Sequence, residues 1–210
     1  MTFHTPSITV PTTSPRGHAA AVLCAVGSAA AVAVIPLAGG AAGSDGLAVA
    51  DDLVASSTRV QWAAVLAAVA AAALILAAVR LGRHVGGTAG AVMTISGAAV
   101  SIFLGAYYAT FAAGAVVASY LYDETSAGVG DATLVLLNMV EMTRYAPGLA
   151  LTVAAVTARR SLPRPLVVAA GVLALMFLMP FTAWVAALAV AVWLGVAAAV
   201  VAWRGDVSGA

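Results

Sequence analysis

The chain predicts an all-α integral membrane bundle of six transmembrane helices with N- and C-termini cytoplasmic. Three observations predict it. Of 210 residues, 63% are hydrophobic and 8% charged, whereas soluble domains average roughly 45–50% and about 25%. Mean hydropathy is +1.07. Uncharged stretches long enough for a bilayer core of ~30 Å, which takes about 20 helical residues, alternate with short segments that carry the arginines. So little polar surface cannot clothe a water-soluble fold, which excludes an ordinary cytosolic enzyme, a disordered chain and a nucleic-acid binder.

Residues 1–17 read as a flexible cytoplasmic tail, with Ser14-Pro15 as the cap and first-turn proline of a helix. The first span is 18–39. The same features, Arg16, an apolar run and Leu37-Ala38-Gly39-Gly40-Ala41-Ala42, also fit a cleaved signal peptide; a retained span is the preferred reading. The loop from Ala41 to Thr58 follows, with Leu47, Val49, Leu53 and Val54 suggesting a short surface helix beside Asp51 and Asp52. Span two is 60–80, introduced by Ser56-Ser57-Thr58 as capping groups. Span three is 88–112, with an outer extension to Tyr122. Span four is 132–157, with Asp131 as its cap. The uncharged run Pro165–Trp203 is about 58 Å as one helix, and Pro180 near its middle divides it into spans at 165–181 and 183–203. A short tail, 205–210, ends the chain, and 18–204 form one transmembrane domain.

Arginine placement sets the count. With six spans, Arg16, Arg80, Arg83, Arg159, Arg160, Arg164 and Arg204 share one side; Asp45, Asp51, Asp52, Asp123, Glu124 and Asp131 share the other with Arg59. The positive side is cytoplasmic, which makes this a multi-pass protein of the plasma (inner) membrane. All nine basic residues are arginine; an Ala- and Arg-rich, Lys-free chain suggests a GC-rich bacterial genome. Trp62, Trp184 and Trp203 fall at the expected interfaces.

The candidate site lies in span four. A charge at mid-bilayer costs about 2.5–3.5 kcal/mol on insertion scales, and Glu141 and Arg144 incur this twice at i, i+3 spacing that lets them pair. Asn138 and Tyr145 stand a turn to either side of Glu141, so all four are expected to face the interior, and Pro147 frees the Thr143 carbonyl. On span three, Gly97, Ser101 and Gly105 form a small-residue stripe, with Thr94, Ser101 and Tyr108 on nearly the same face. Depth matching sets Ser101 level with Arg144 and Tyr108 near Asn138, with Tyr107 or Tyr108 in reach of Asn138 or Glu141. Ligand-binding candidates are therefore Asn138, Glu141, Arg144, Tyr145, Ser101 and Tyr108. Met176, Phe177, Met179, Phe181 and Trp184 gather at the outer hairpin as an apolar mouth or as ordinary lipid contact.

No catalytic or metal residues are assigned, and no cofactor is expected. The histidines are His4, His18 and His84, spread over a tail and two borders, and Cys24 is the single cysteine. Without lysine there is no Schiff-base chemistry. No phosphate loop, nucleophile elbow, zinc-protease or dinucleotide motif occurs. The leading function is a small-molecule or ion binder or carrier that uses the Glu-Arg site. The alternatives are an accessory or scaffolding subunit in which the pair is structural, and an intramembrane enzyme on a hydrophobic substrate. The partners expected are the lipid bilayer and a like copy or partner subunit docking through Gly97, Ser101 and Gly105, with no nucleic acid.

Overall fold

The computed structural model describes residues 46–120 and 126–208, and all the regular structure in these residues is helical. The helices are α1 (Gly46–Ala55), α2 (Ser57–Val85), α3 (Gly87–Tyr120), α4 (Ser126–Thr157), α5 (Arg164–Leu178) and α6 (Ala183–Ser208). The first expected span, 18–39, lies outside the described residues, as do Cys24, His4 and His18. Among the described residues, three helices are long and apolar enough to cross a membrane: α2, α3 and the Ala183–Arg204 part of α6. Large apolar side chains cover the outside: Ile95, Leu76, Met142 and Val168 are all exposed. Water does not tolerate such a continuous apolar coat; lipid does.

The α2–α3 hairpin turns at Gly86 and Gly87, with φ of 70° and 57°. Only glycine takes this left-handed conformation without strain. The arms then approach backbone to backbone at Gly82 and Gly90, and Gly97 meets Ala78 further along. Side chains as small as these let the surface of α2, with Ala67, Ala70, Ala77 and Ala78 fully buried, pack by van der Waals contact alone.

The α5–α6 turn occurs where Pro180 predicts it. Thr182 fastens the turn by donating its hydroxyl to Met176 O at 2.9 Å. Trp193, buried, ties the start of α5 to the middle of α6 by donating Nε1–H to Leu166 O at 3.0 Å. At 15 residues, α5 is about 22 Å long, shorter than a hydrocarbon core.

Three local expectations are corrected, and one is filled in. The α1 segment is a helix with Asp51 and Asp52 exposed on its outer face; on its inner face Gly46, Val49, Ala50 and Leu53 are buried, and Val49 and Leu53 join Val60, Phe111, Ala115 and Leu137 in a second, smaller core. Their i, i+3, i+4, i+7 spacing makes one apolar stripe; Leu47, off that stripe, is exposed. Ser56 does not cap α2. Its hydroxyl donates back to Asp52 O at 2.6 Å, closing α1 instead. Helix α4 starts at Ser126, so Asp131 lies inside it and rests against Gly46 rather than capping. Helix α6 continues to Ser208, through most of the expected tail.

The arginine-bearing segments meet at one end. His84, in the last turn of α2, donates Nε2–H to Ser161 O in the α4–α5 loop at 3.1 Å. Arg160 and Arg204 line one cavity with them.

Candidate functional site

Arg144 occupies a core position of α4. Thr133, Leu137, Arg144, Gly148, Leu151 and Ala155 succeed one another at three-, four- or seven-residue steps, and all are buried. Such a stripe faces the bundle, so a guanidinium stands where the pattern calls for an apolar side chain. Arg144 is 5% exposed.

Three groups surround its charge. Nη2 donates to Glu141 Oε1 at 3.1 Å, forming an i, i+3 ion pair. Tyr145 donates its hydroxyl to the same oxygen at 3.1 Å. The Tyr107 ring of α3 lies under the guanidinium, 5.1 Å from its carbon, within the range of a cation–π contact. Tyr107 is held in turn by edge contacts to Tyr108 and Phe111, each with ring centroids 5.3 Å apart. From α5, Phe177 packs on Gly148, where a Cβ would strike its ring, and leans against Tyr145. One member of the expected outer aromatic cluster is thus part of the site's wall; Met179, Phe181 and Trp184 are exposed.

The remaining donors of Arg144 are not satisfied. Nε and Nη1 are both buried and neither has a hydrogen-bond partner. The ring of Tyr107 compensates the face of the guanidinium, not its N–H edge. A buried donor without an acceptor costs about 1–3 kcal/mol, more when charged.

Glu141, Arg144 and Tyr145 are therefore brought together, Tyr108 stands one ring behind them through Tyr107, and Asn138 and Ser101 take no part. Asn138 is exposed. Each three-residue step turns a helix by 300°, so two steps from Arg144 back to Asn138 accumulate about 120° of rotation, enough to leave the interior face. Ser101 is fully buried, but its hydroxyl donates to Gly97 O of its own helix at 2.7 Å. Tyr108 is 3% exposed and belongs to the main core.

The reason is that the small-residue stripe faces α2, not α4. Gly97 lies against Ala78 of α2 and Leu194 of α6, and Gly105 against Ala71 of α2. At 100° per residue Tyr108 sits only about 20° from Ser101 and follows the stripe, while Tyr107, about 120° away, meets α4. The stripe expected to receive a partner chain is thus filled within the chain by α2 and α6.

The depth match also shifts. Gly114 touches Thr133; counting equally along the two antiparallel helices from that contact, Arg144 comes level with Phe103. Helical side chains lean toward their own N-terminus. In α4 that direction runs toward the C-terminal end of α3, so the long arginine reaches Tyr107. Among the described residues no group of three or more His, Cys, Asp or Glu is placed to hold a metal ion. No protein-family model, curated protein or solved structure matches this chain.

Proposed function

We propose that the protein is a multi-span membrane protein that binds or carries a small molecule or ion at Arg144, with an acceptor-bearing or anionic group meeting Nε and Nη1. The observation that carries this reading is the pair of buried, unpartnered donors on a residue 5% exposed. A charge pair kept only to fasten helices has every reason to be fully hydrogen-bonded, because each orphan donor weakens the fastening. Glu141 holds one edge of the guanidinium and Tyr107 its face, leaving the second edge as the recognition surface. The aromatic wall of Tyr107, Tyr145 and Phe177 suits a ligand with an apolar body.

The reading takes the chain as six spans in the plasma membrane, with residues 18–39 as the first and α2 to α6 as the rest. Its arginine-rich end is cytoplasmic, together with both termini. The positive-inside bias and the meeting of His84, Ser161 and Arg204 at one end support this.

A second reading, a scaffolding subunit, draws on a specific feature: both hydrogen bonds to Glu141 come from its own helix, and Arg144 is closed over by Tyr107. One experiment separates the two. Thermal unfolding of the purified protein in detergent is followed with benzoate and with its neutral counterpart benzamide. Binding raises the melting temperature through ligand linkage. The expected result is stabilisation by benzoate alone, lost in Arg144→Gln. No benzoate response, together with rescue of Glu141→Gln and Arg144→Gln by the double variant, assigns the pair to scaffolding.

A further inference from the structure

A second basic site lies roughly four helical turns beyond Arg144, just past the end of α4, and the Glu141–Arg144 pair plays no part in it. Two neighbouring cavities open at the arginine-bearing end. One, of about 280 Å³, is bordered by His84, Arg160, Arg204 and Val201. The other, of about 440 Å³, is bordered by Arg159, Arg160, Val85 and Ala89. Arg160 and Ser161 belong to both. The Arg159, Arg160 and Arg204 side chains are exposed, and the His84–Ser161 hydrogen bond holds the loop bearing two of them against the α2–α3 turn.

Arginines that only orient a chain in the membrane need to lie on the correct side; they need not converge. Here segments remote in sequence bring guanidinium groups to two adjoining hollows. Guanidinium forks match phosphate oxygens in a planar, two-point contact. Basic pockets between helices at the cytoplasmic border are where anionic headgroups sit. We propose that this end binds the phosphate group of an anionic ligand between Arg160 and its neighbours Arg159 and Arg204; its depth, at the ends of the apolar helices, points to a phospholipid headgroup as the source.

The test uses the full chain in a mild detergent, with bound lipid counted by native mass spectrometry. Phosphatidylglycerol, zwitterionic phosphatidylcholine and inorganic phosphate are the probes. Phosphatidylglycerol is expected to bind in preference to phosphatidylcholine, and Arg160→Gln to weaken it about fivefold, the effect of one arginine at an anionic surface. Arg59→Gln, at the start of α2, is expected to change nothing, and Arg160→Lys to lose only part of the affinity. If millimolar inorganic phosphate displaces the lipid, a soluble phosphate compound is the ligand and the phosphate chemistry stands. Equal binding of the two lipids with no effect of phosphate overturns the proposal, and that outcome is read on the unmutated chain. Equal phosphatidylglycerol binding by folded Arg160→Gln overturns it as well.

Discussion

Removing Glu141 and removing Arg144 are not equivalent perturbations, because the two partners are buried to different extents. Arg144 is 5% exposed, and the Glu141 side chain 22%. Glu141→Gln strands a guanidinium whose Nε and Nη1 already lack partners; uncovering a buried charge in this way costs about 3–5 kcal/mol. Arg144→Met leaves a partly exposed carboxylate that still accepts from Tyr145. A loss of about 1.5–3 kcal/mol follows, on the scale of one hydrogen bond to a charged group. Denaturant titration of the two variants in the same detergent is expected to rank Glu141→Gln the less stable; the reverse order contradicts this geometry. At this scale the site was half legible. The cost of an intramembrane charge singles out Glu141 and Arg144 from sequence, and Tyr145 follows by helical spacing. Tyr107 was not separable from Tyr108, because adjacent residues differ only in azimuth, and azimuth is fixed by which neighbour the helix leans on. Asn138 was lost to the same cause, the rotation accumulated over two three-residue steps.

Contacts between elements rest on positions where a methyl group decides the fit. Helix α4 carries two glycines two residues apart with opposite surroundings. A Cβ on Gly130 would strike the backbone of Gly46, whereas one on Gly128 meets nothing within 4 Å. Backbone cannot swing aside as a flexible side chain can, so Gly130→Ala is expected to push α1 off α4 and destabilise by about 1–3 kcal/mol. Gly128→Ala is expected to stabilise by up to about 1 kcal/mol, the gain in helix propensity. Thermal melts of the pair check both signs at once, and a like effect of the two substitutions removes the close α1–α4 approach from consideration. The elements themselves were legible wherever a charge or proline ends an apolar run, as at Arg80 to Arg83 and at Pro180. A boundary without such punctuation drifted: α4 begins at Ser126, before 132, because alanine, valine and glycine carry no stop signal of their own, whereas α3 runs on to Tyr120 along the outer extension expected for it. The small stripe at Gly97, Ser101 and Gly105 was visible as a packing face. Its partner was not, since α2 and α4 both offer small residues to it.

The whole molecule is polarised along its length, and this distribution of charge can be tested without knowing any ligand. Asp131 near one end of α4 and Arg160 just beyond the other are both exposed. Separated by nearly the full length of a 32-residue helix, they stand about 40 Å apart at 1.5 Å per residue, more than the ~30 Å of hydrocarbon. If the chain crosses the bilayer as its apolar coat implies, the two positions emerge on opposite faces. The single native cysteine, Cys24, can be replaced by serine to give a silent background for Asp131→Cys and Arg160→Cys. In intact cells a membrane-impermeant maleimide is expected to label Asp131→Cys and spare Arg160→Cys, which becomes reactive only after permeabilisation. The arginine bias demands that direction, because guanidinium-rich segments resist translocation. Labelling of both from outside would place the arginine-bearing end and the Asp131 end in the same compartment. Spans with α4 between them cannot produce that result, so it would dismiss the membrane-crossing reading of α4 and with it the intramembrane location of Arg144.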